Sequence, residues 1–279
     1  MKKRKVLIGL FLLLVIGVVS LIFTKSVETN FLFKKKASPT PSKDMYDYSK
    51  DGAEYYLSDI YGEGKVKNIT QKSVKLNEKV ANFPQDELNT NYNLRKKYSN
   101  DDKVGKTCTI VACLGLVTYF SEIDGFEISV SCFDNYEKIL DACLDKGYTT
   151  KNNGTYSSKV NNCVTESFSV NNSSRKGNTN WWELHNNIRD AVNGNTPIIL
   201  DIKDHSTVLV GLTTYEYDCE KEVEVGWWFW EKHKEVQTVH ESKEFVIVND
   251  GYSSSFRSII PLERIKDIYN ENQVCWAEK

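Results

Sequence analysis

The chain has 279 residues, of which 40% are hydrophobic and 12% aromatic, which is enough to bury a substantial core in one domain or two small ones. The formal net charge of −2 argues against a nucleic-acid partner, which favours a basic surplus, and against a long acidic disordered chain. The seven cysteines include no CxxC pair and no Cys/His cluster of the zinc type. The sequence therefore predicts no metal site and no cofactor.

The amino end has the pattern of a membrane anchor. Residues 1–5 carry four basic side chains, and residues 6–23 form an uncharged run just long enough to cross a bilayer as a helix. Because Leu21, Ile22 and Phe23 stand where small residues would mark a cleavage site, we expect an uncleaved signal anchor. The basic cluster predicts a single-pass protein of the cell membrane whose body lies outside the cytoplasm.

Two segments separate this anchor from the predicted catalytic domain at 101–279. Residues 24–44 form a linker that includes a Pro/Ser/Thr-rich spacer. Residues 45–100 begin with the spacing of a short amphipathic helix and continue as polar, Lys/Asn-rich sequence. We interpret them as an extension that packs on the domain. An inhibitory pro-segment is the alternative, although no cleavage point is marked.

Residues 105–120, GKTCTIVACLGLVTYF, predict a buried helix that begins near Thr107. Cys108 then lies in the first turn, where unpaired backbone N–H groups and the helix dipole favour a thiolate and make the sulfur a candidate nucleophile. Cys113 lies more than one turn further along, among apolar residues. We expect it to be an inert, buried thiol.

The pattern downstream predicts two more helices and three strands. The helices cover 134–147 and 181–192, with loops and a short strand over 149–179. The strands cover 196–202, 207–212 and 244–248.

The last two strands predict a long antiparallel hairpin. If they pair so that His205 faces Asn249, the turn falls at Gly226, a residue that supplies the positive φ such turns need. The same register places Glu222 opposite Lys232, which is a favourable cross-strand pair.

A nucleophile at a helix start, a histidine at a strand start and an amide at the end of the adjacent strand form an ordered Cys–His–Asn set. A thiolate can attack a carbonyl carbon, an imidazolium can protonate the leaving amine, and an amide oxygen can orient the imidazole. Cys108 and His205 are the candidates for the first two roles. Asn249 and Asp250 both qualify for the third, and the register above favours Asn249.

At these residues the sequence resembles the papain-like cysteine peptidases, and more closely their bacterial streptopain-like and bacteriocin-leader-processing branches. The resemblance covers roughly residues 105–265 and rests on Cys108 with Ala112 and Tyr119, on the run 197–211, and on the run 248–252. It implies an α+β fold in which a central Cys-bearing helix packs on an antiparallel sheet that carries the His and Asn, with an extended β-hairpin insertion. It also implies hydrolysis of peptide bonds in a peptide or protein substrate.

The supporting residues depart from the family in two places. The resemblance implies a glutamine about six residues before the cysteine as an oxyanion donor, but Asp102 holds that position and a carboxylate would repel the developing charge. Asn100 is the candidate replacement. Tyr252, where the family usually has a tryptophan, is the candidate that shields the hydrogen bond between His205 and Asn249 from water.

Two other functions stay open. Asp102 favours a catalytically impaired pseudo-peptidase that acts as a surface binding module through the aromatic hairpin tip, Trp227–Trp230, although these rings could equally pack on the sheet. A transglutaminase-like acyl transferase uses the same residue order, but it normally places its acid closer to the histidine than Asn249 lies to His205.

Overall fold

The computed structural model describes residues 45–128, 131–179, 184–202, 205–226, 232–252 and 257–279, which fall in one compact unit. The basic terminus, anchor and linker predicted over 1–44 lie outside these residues, as does the aromatic tip 227–230. Within the described part of the chain, no helix is both long enough and apolar enough to cross a membrane.

An antiparallel sheet combined with helices forms the framework, which confirms the predicted α+β class. Its strands, in chain order, are β1 (Tyr46–Asp47), β2 (Val66–Leu76), β5 (Lys176–Thr179), β6 (Ile198–Ile202), β7 (His205–Val225), β8 (His233–Asn249), β9 (Ser258–Pro261) and β10 (Tyr269–Glu278), while β3 (Thr149–Thr150) and β4 (Gly154–Thr155) form a separate hairpin. The strand order is β1-β9-β8-β7-β6-β10-β5, and β2 pairs with β7 beyond the end of β6. All pairings among these strands are antiparallel.

Helices cover both faces of the sheet. They are α1 (Lys50–Tyr61), α2 (Gln85–Lys96), α3 (Cys108–Asp124), α4 (Cys132–Asp145), α5 (Val160–Ser169), α6 (Leu184–Asn193) and the short α7 (Ile265–Ile268). Helix α3 is buried along most of its length and contacts β7 as well as α4 and α5. The predicted helix start is confirmed, since Thr107 is the N-cap and Cys108 the first helical residue.

Two polar stretches form more structure than the sequence indicated. Helix α5 lies where loops and a strand were predicted, because Val160, Cys163, Val164 and Phe168 fall on one buried face despite the Asn/Ser-rich composition around them. Within 45–100, the polar sequence forms β2 and α2. Strand β2 is mostly exposed, so its residues carry little of the apolar alternation that reveals a strand.

The predicted register of the long hairpin is wrong. Asn249 pairs with Val208, not with His205, and at the far end Val225 pairs with His233. Glu222 accordingly lies opposite Val236, not Lys232. The pairing at Asn249 is already offset by three residues from the predicted one, and a bulge between Leu209 and Gly211 adds one more residue to the offset along β7.

Gly211, next to this bulge, is required by the close approach of β2. A Cβ atom at this position would lie 2.3 Å from the carbonyl oxygen of Lys75, which is a rigid backbone atom. We therefore expect Gly211→Ala to lower the free energy of unfolding by about 1–3 kcal/mol, measured by chemical denaturation. Gly105→Ala is the matched control, since a Cβ there meets nothing within 4 Å. Equal stabilities of the two variants would contradict the close approach.

Candidate active site

The thiol of Cys108 lies at the amino end of α3, where the first backbone N–H groups have no partner within the helix. No side chain caps this end, so those N–H groups are not occupied by a capping side chain, and the positive end of the helix dipole lies near the sulfur. The sulfur interacts with the imidazole of His205 and with the backbone N–H of Ser206. The structure thus brings together the two residues, 97 positions apart, that the sequence analysis assigned to attack and proton transfer.

The pKa values of this pair shift toward a thiolate and an imidazolium. Burial by itself would raise the pKa of the Cys108 thiol, but the interaction with His205 and the Ser206 N–H outweigh it and lower that pKa. Burial likewise opposes a charge on His205, yet the interaction with Cys108 and the carbonyl of Asp250 raise the pKa of the imidazole. Both shifts favour the ion pair that makes sulfur nucleophilic.

The imidazole is oriented by a backbone acceptor. Nε2 of His205 lies 2.6 Å from the carbonyl oxygen of Asp250, and a carbonyl can only accept, so Nε2 carries a proton. Nδ1 is then the nitrogen that can exchange a proton with Cys108. The hydroxyl of Tyr252 is 3.1 Å from Nδ1, and the two rings stack with centroids 4.8 Å apart. Tyr252 therefore covers the imidazole itself, and not the His205–Asn249 hydrogen bond that the sequence analysis assigned to it.

The carboxamide of Asn249 does not reach His205, contrary to the predicted role. Its Nδ2 donates to the carbonyl oxygens of Val80 and Ala81, both at 3.1 Å, and its Oδ1 accepts from Nε of Arg257 at 3.1 Å. The cause is the register: Asn249 lies opposite Val208, so the residue that meets the imidazole comes one position later.

The Asn249–Gly251 turn is held by the loop before α2. The N–H of Gly251 donates to Oδ1 of Asn82, and its carbonyl accepts from the N–H of Gln85 at 2.6 Å. Together with the Asn249 carboxamide, these bonds fix the path of the backbone that presents the Asp250 carbonyl to the histidine. Asn249 is thus a positioning residue for this turn.

Asn100 and Asp102, the predicted oxyanion residues, lie in a 3₁₀ turn at 100–102 and are exposed. Neither lines the cavities beside Cys108. The Asp102 carboxylate accepts instead from the hydroxyl of Ser99 at 3.0 Å. Because Asp102 lies outside these cavities, its carboxylate is not placed to repel a negative charge that develops beside Cys108.

Gln85, which the sequence analysis missed, lines the groove beside Cys108 that Asp102 does not reach. It is buried at the start of α2. Its Nε2 donates to the carbonyl of Gly105 at 3.1 Å, which leaves a second N–H, while its Oε1 is buried with no hydrogen-bond partner. No sequence signal marked it, because it lies 23 positions before the cysteine on another helix.

One face of α2 forms hydrogen bonds with residues 104–107, the segment just before Cys108. Gln85, Asn89 and Asn93 are spaced four residues apart, so their side chains project from the same face. Asn89 donates to the carbonyl of Gly105 and accepts from Thr107, while Asn93 both donates to and accepts from the backbone of Val104. This amide row fixes the entry to α3.

An open groove with a volume of about 510 Å³ runs past the thiol. Its walls come from α3, from the two residues His205 and Ser206, and from residues 153–157 at and after β4. Gly154 packs this hairpin against the chain next to Cys108: its φ is 74° and a Cβ there would lie 2.8 Å from the carbonyl of Lys106. Tyr156, on the rim, is 58% exposed.

The cysteines and the acidic residues show no metal-binding arrangement in the part of the chain that is described. All seven cysteines are free thiols.

Comparisons of the chain with protein-family models, curated proteins and solved structures found no match. The geometry of the site is therefore the basis on which a function can be inferred.

The pKa shifts predict selective alkylation of Cys108. A lowered pKa gives Cys108 a larger thiolate fraction at a given pH than a thiol whose pKa is raised, so iodoacetamide should label Cys108 at least about tenfold faster than Cys132. Cys132 is the matched control because it is exposed, yet burial of its sulfur and the charge of Glu87 raise its pKa to about 11. The measurement is the labelling rate of each cysteine by peptide mass spectrometry between pH 5 and 10.

His205→Ala should move the midpoint of the Cys108 profile to higher pH, since burial, which raises the pKa of the thiol, then acts without the opposing imidazole. Labelling of Cys108 at neutral pH should fall accordingly. Equal labelling of Cys108 and the buried Cys113 in the unmodified chain would contradict the ion pair.

Proposed function

We propose that the protein is a cysteine peptidase of papain-like architecture that hydrolyses peptide bonds. The observation that carries this proposal is the buried contact between a helix-start thiol and an imidazole whose other nitrogen is fixed by a carbonyl. This arrangement has the parts that nucleophilic catalysis requires: an activated nucleophile, a base beside it, and a group that orients the base.

The chemical steps follow from the positions of these groups. Nδ1 of His205 takes the proton of Cys108, and the thiolate attacks the carbonyl carbon of the scissile bond. The imidazolium then protonates the leaving amine, so that a thioester to Cys108 remains. In the second half, His205 removes a proton from water and the resulting hydroxide attacks the thioester carbon. The C–S bond breaks, the carboxylic acid product leaves, and the imidazolium returns its proton to the sulfur.

Two N–H donors are suited to the oxyanion. The backbone N–H of Cys108 is free of helical bonding because it is the first residue of α3. The second N–H of the Gln85 carboxamide lies in the same groove. Donors held in place before the reaction stabilise the developing charge without reorganisation, and each contributes about 10²–10³ in rate where it has been measured.

The order of the elements along the chain supports a papain-like architecture. Cys108 is the first residue of a helix that packs on the sheet, and His205 is the first residue of a strand of that sheet. The site departs from the pattern that the resemblance implied in its orienting group, which is the Asp250 carbonyl, and in its glutamine, which comes from α2. The groove along β4 suits an extended peptide. The anchor at 6–23 would hold this site outside the cytoplasm at the membrane.

A pseudo-peptidase that acts as a binding module is the second candidate. The sequence feature that favoured it was Asp102, and its exposed position outside the groove removes that support. An active enzyme is therefore the better interpretation of the site.

Hydrolysis tests the proposal directly. The full-length chain, solubilised in a mild detergent, should cleave members of a pool of internally quenched peptides. Cys108→Ala should abolish cleavage, and His205→Ala should lower it by about 10²–10⁴-fold. Cys132→Ala, a change at an exposed thiol, should leave it unchanged. If the Cys108→Ala variant kept the full biological effect of the protein, that result would support the function as a binding module and contradict the peptidase function.

Gln85→Ala should lower kcat/KM by about 10²–10³-fold with little change in the rate of Cys108 alkylation, because it removes an oxyanion donor and leaves the nucleophile in place. Asp102→Asn, at the position that the sequence resemblance assigned, is the matched control and should have no effect on kcat/KM. If Asp102→Asn lowered kcat/KM and Gln85→Ala did not, the oxyanion donor would lie near residue 102 and not on α2.

A further inference from the structure

The residues that follow Cys108 and His205 in the chain are hydrogen-bonded to each other. Thr109 is the second residue of α3 and Ser206 is the second residue of β7, and their hydroxyl oxygens lie 2.8 Å apart. Both side chains are buried, with exposed fractions of 2% and 3%. This bond spans 97 positions of sequence and joins the helix that carries the sulfur to the strand that carries the imidazole.

A third residue fixes the direction of this bond. Ser206 donates its hydroxyl proton to Oδ1 of Asp201, its cross-strand partner on β6, at 2.8 Å. Because a hydroxyl has a single proton, Thr109 is then the donor to Ser206. The result is a directed chain of hydrogen bonds from α3 through β7 to β6, and all three of its members are buried. A buried chain in which each bond is satisfied holds one geometry.

The backbone of Ser206 makes a second contact with α3. Burial raises the pKa of the Cys108 thiol, whereas the interaction with His205 and a hydrogen bond from the N–H of Ser206 lower it. The position of that N–H depends on how β7 lies against the first turn of α3. Further along, the two elements meet through apolar residues such as Ala112 and Val208, whose contacts are not directional. The hydroxyl chain therefore supplies a directional restraint at the end of the contact that is nearest the sulfur.

We propose that Thr109 and Ser206 are positioning residues that hold the sulfur of Cys108 and the imidazole of His205 at the separation that proton transfer requires. Asp201 anchors Ser206 from β6. The inference rests on the peptidase function proposed above. Such a pair must be held to within a fraction of an ångström, since a misplacement of about 1 Å costs about 10²-fold in rate.

Removal of one hydroxyl tests this role on the full-length chain. Thr109→Val keeps the branched shape of the side chain and leaves the Ser206 hydroxyl donating to Asp201, so no buried donor loses its partner. The midpoint of Cys108 alkylation should move to higher pH by about half a unit to one unit, because the imidazole and the Ser206 N–H then stabilise the thiolate less well. For quenched peptides, kcat should fall about tenfold with little change in KM. Thr109→Ser keeps the hydroxyl and should restore both values.

Thr207→Val is the matched control. Thr207 is also buried, and its hydroxyl donates to the carbonyl of Leu200 at 3.3 Å. Because side chains alternate along a strand, it projects to the face of the sheet opposite to that of Ser206. This variant should change neither the alkylation midpoint nor kcat. Equal shifts in the two valine variants would overturn the positioning role, because they would reflect a general effect on β7.

Two readouts separate this inference from the peptidase function. If no peptide is cleaved in a Cys108-dependent way, the peptidase function fails, and the alkylation midpoint still measures the role of Thr109. An unchanged midpoint in Thr109→Val would overturn that role. A higher KM at an unchanged midpoint would assign Thr109 to substrate contact instead, in the groove that it lines. Thr109→Ala removes the same hydroxyl and takes the place of the valine variant if chemical denaturation shows that the latter does not fold.

Discussion

The contact between one sulfur and one imidazole is the interaction on which the rest of the site depends. Burial opposes a charge on each group when it is alone, but side by side each supplies the charge that stabilises the other. The balance is a difference between opposing effects, and the favourable ones depend on the distance between the two groups. This explains why so many surrounding groups serve only to hold the pair: the uncapped end of α3, the stacked ring of Tyr252 and the carbonyl of Asp250.

The residues before Cys108 are part of the candidate site. Helix α2 holds the chain that enters α3 through its row of amides, and Gln85 from its first turn reaches the groove. The loop before α2 holds the turn that presents the Asp250 carbonyl. A segment removed by proteolysis to activate an enzyme would be expected to cover the groove. Instead, this one supplies its floor and its supports, which favours the packing interpretation over an inhibitory pro-segment.

Local patterns in the sequence predicted a large part of this structure. The apolar run after Cys108 and the β-branched runs around His205 and Val248 predicted their elements, because each pattern is set by neighbours within a few residues. The register was not predicted, because Asn249 pairs with Val208, three residues further along β7 than assumed, and a bulge near Val210 then adds one more position to the offset; neither follows from the local alternation. The acceptor for His205 was missed because a carbonyl has no side-chain signature, and Gln85 because tertiary packing, not spacing along the chain, brings it to the sulfur.

The main-chain acceptor at Asp250 has a consequence for how this site tolerates mutation. In a triad built from three side chains, one nucleotide change can delete the third member. Here the orienting oxygen belongs to every amino acid that could occupy the position, so it is lost only when the chain changes its path. The side chain of Asp250, which accepts from Ser258 and from the N–H of Tyr252, maintains that path. Sequence divergence at 249 and 250 should therefore weaken the turn gradually and not remove the acceptor in a single step.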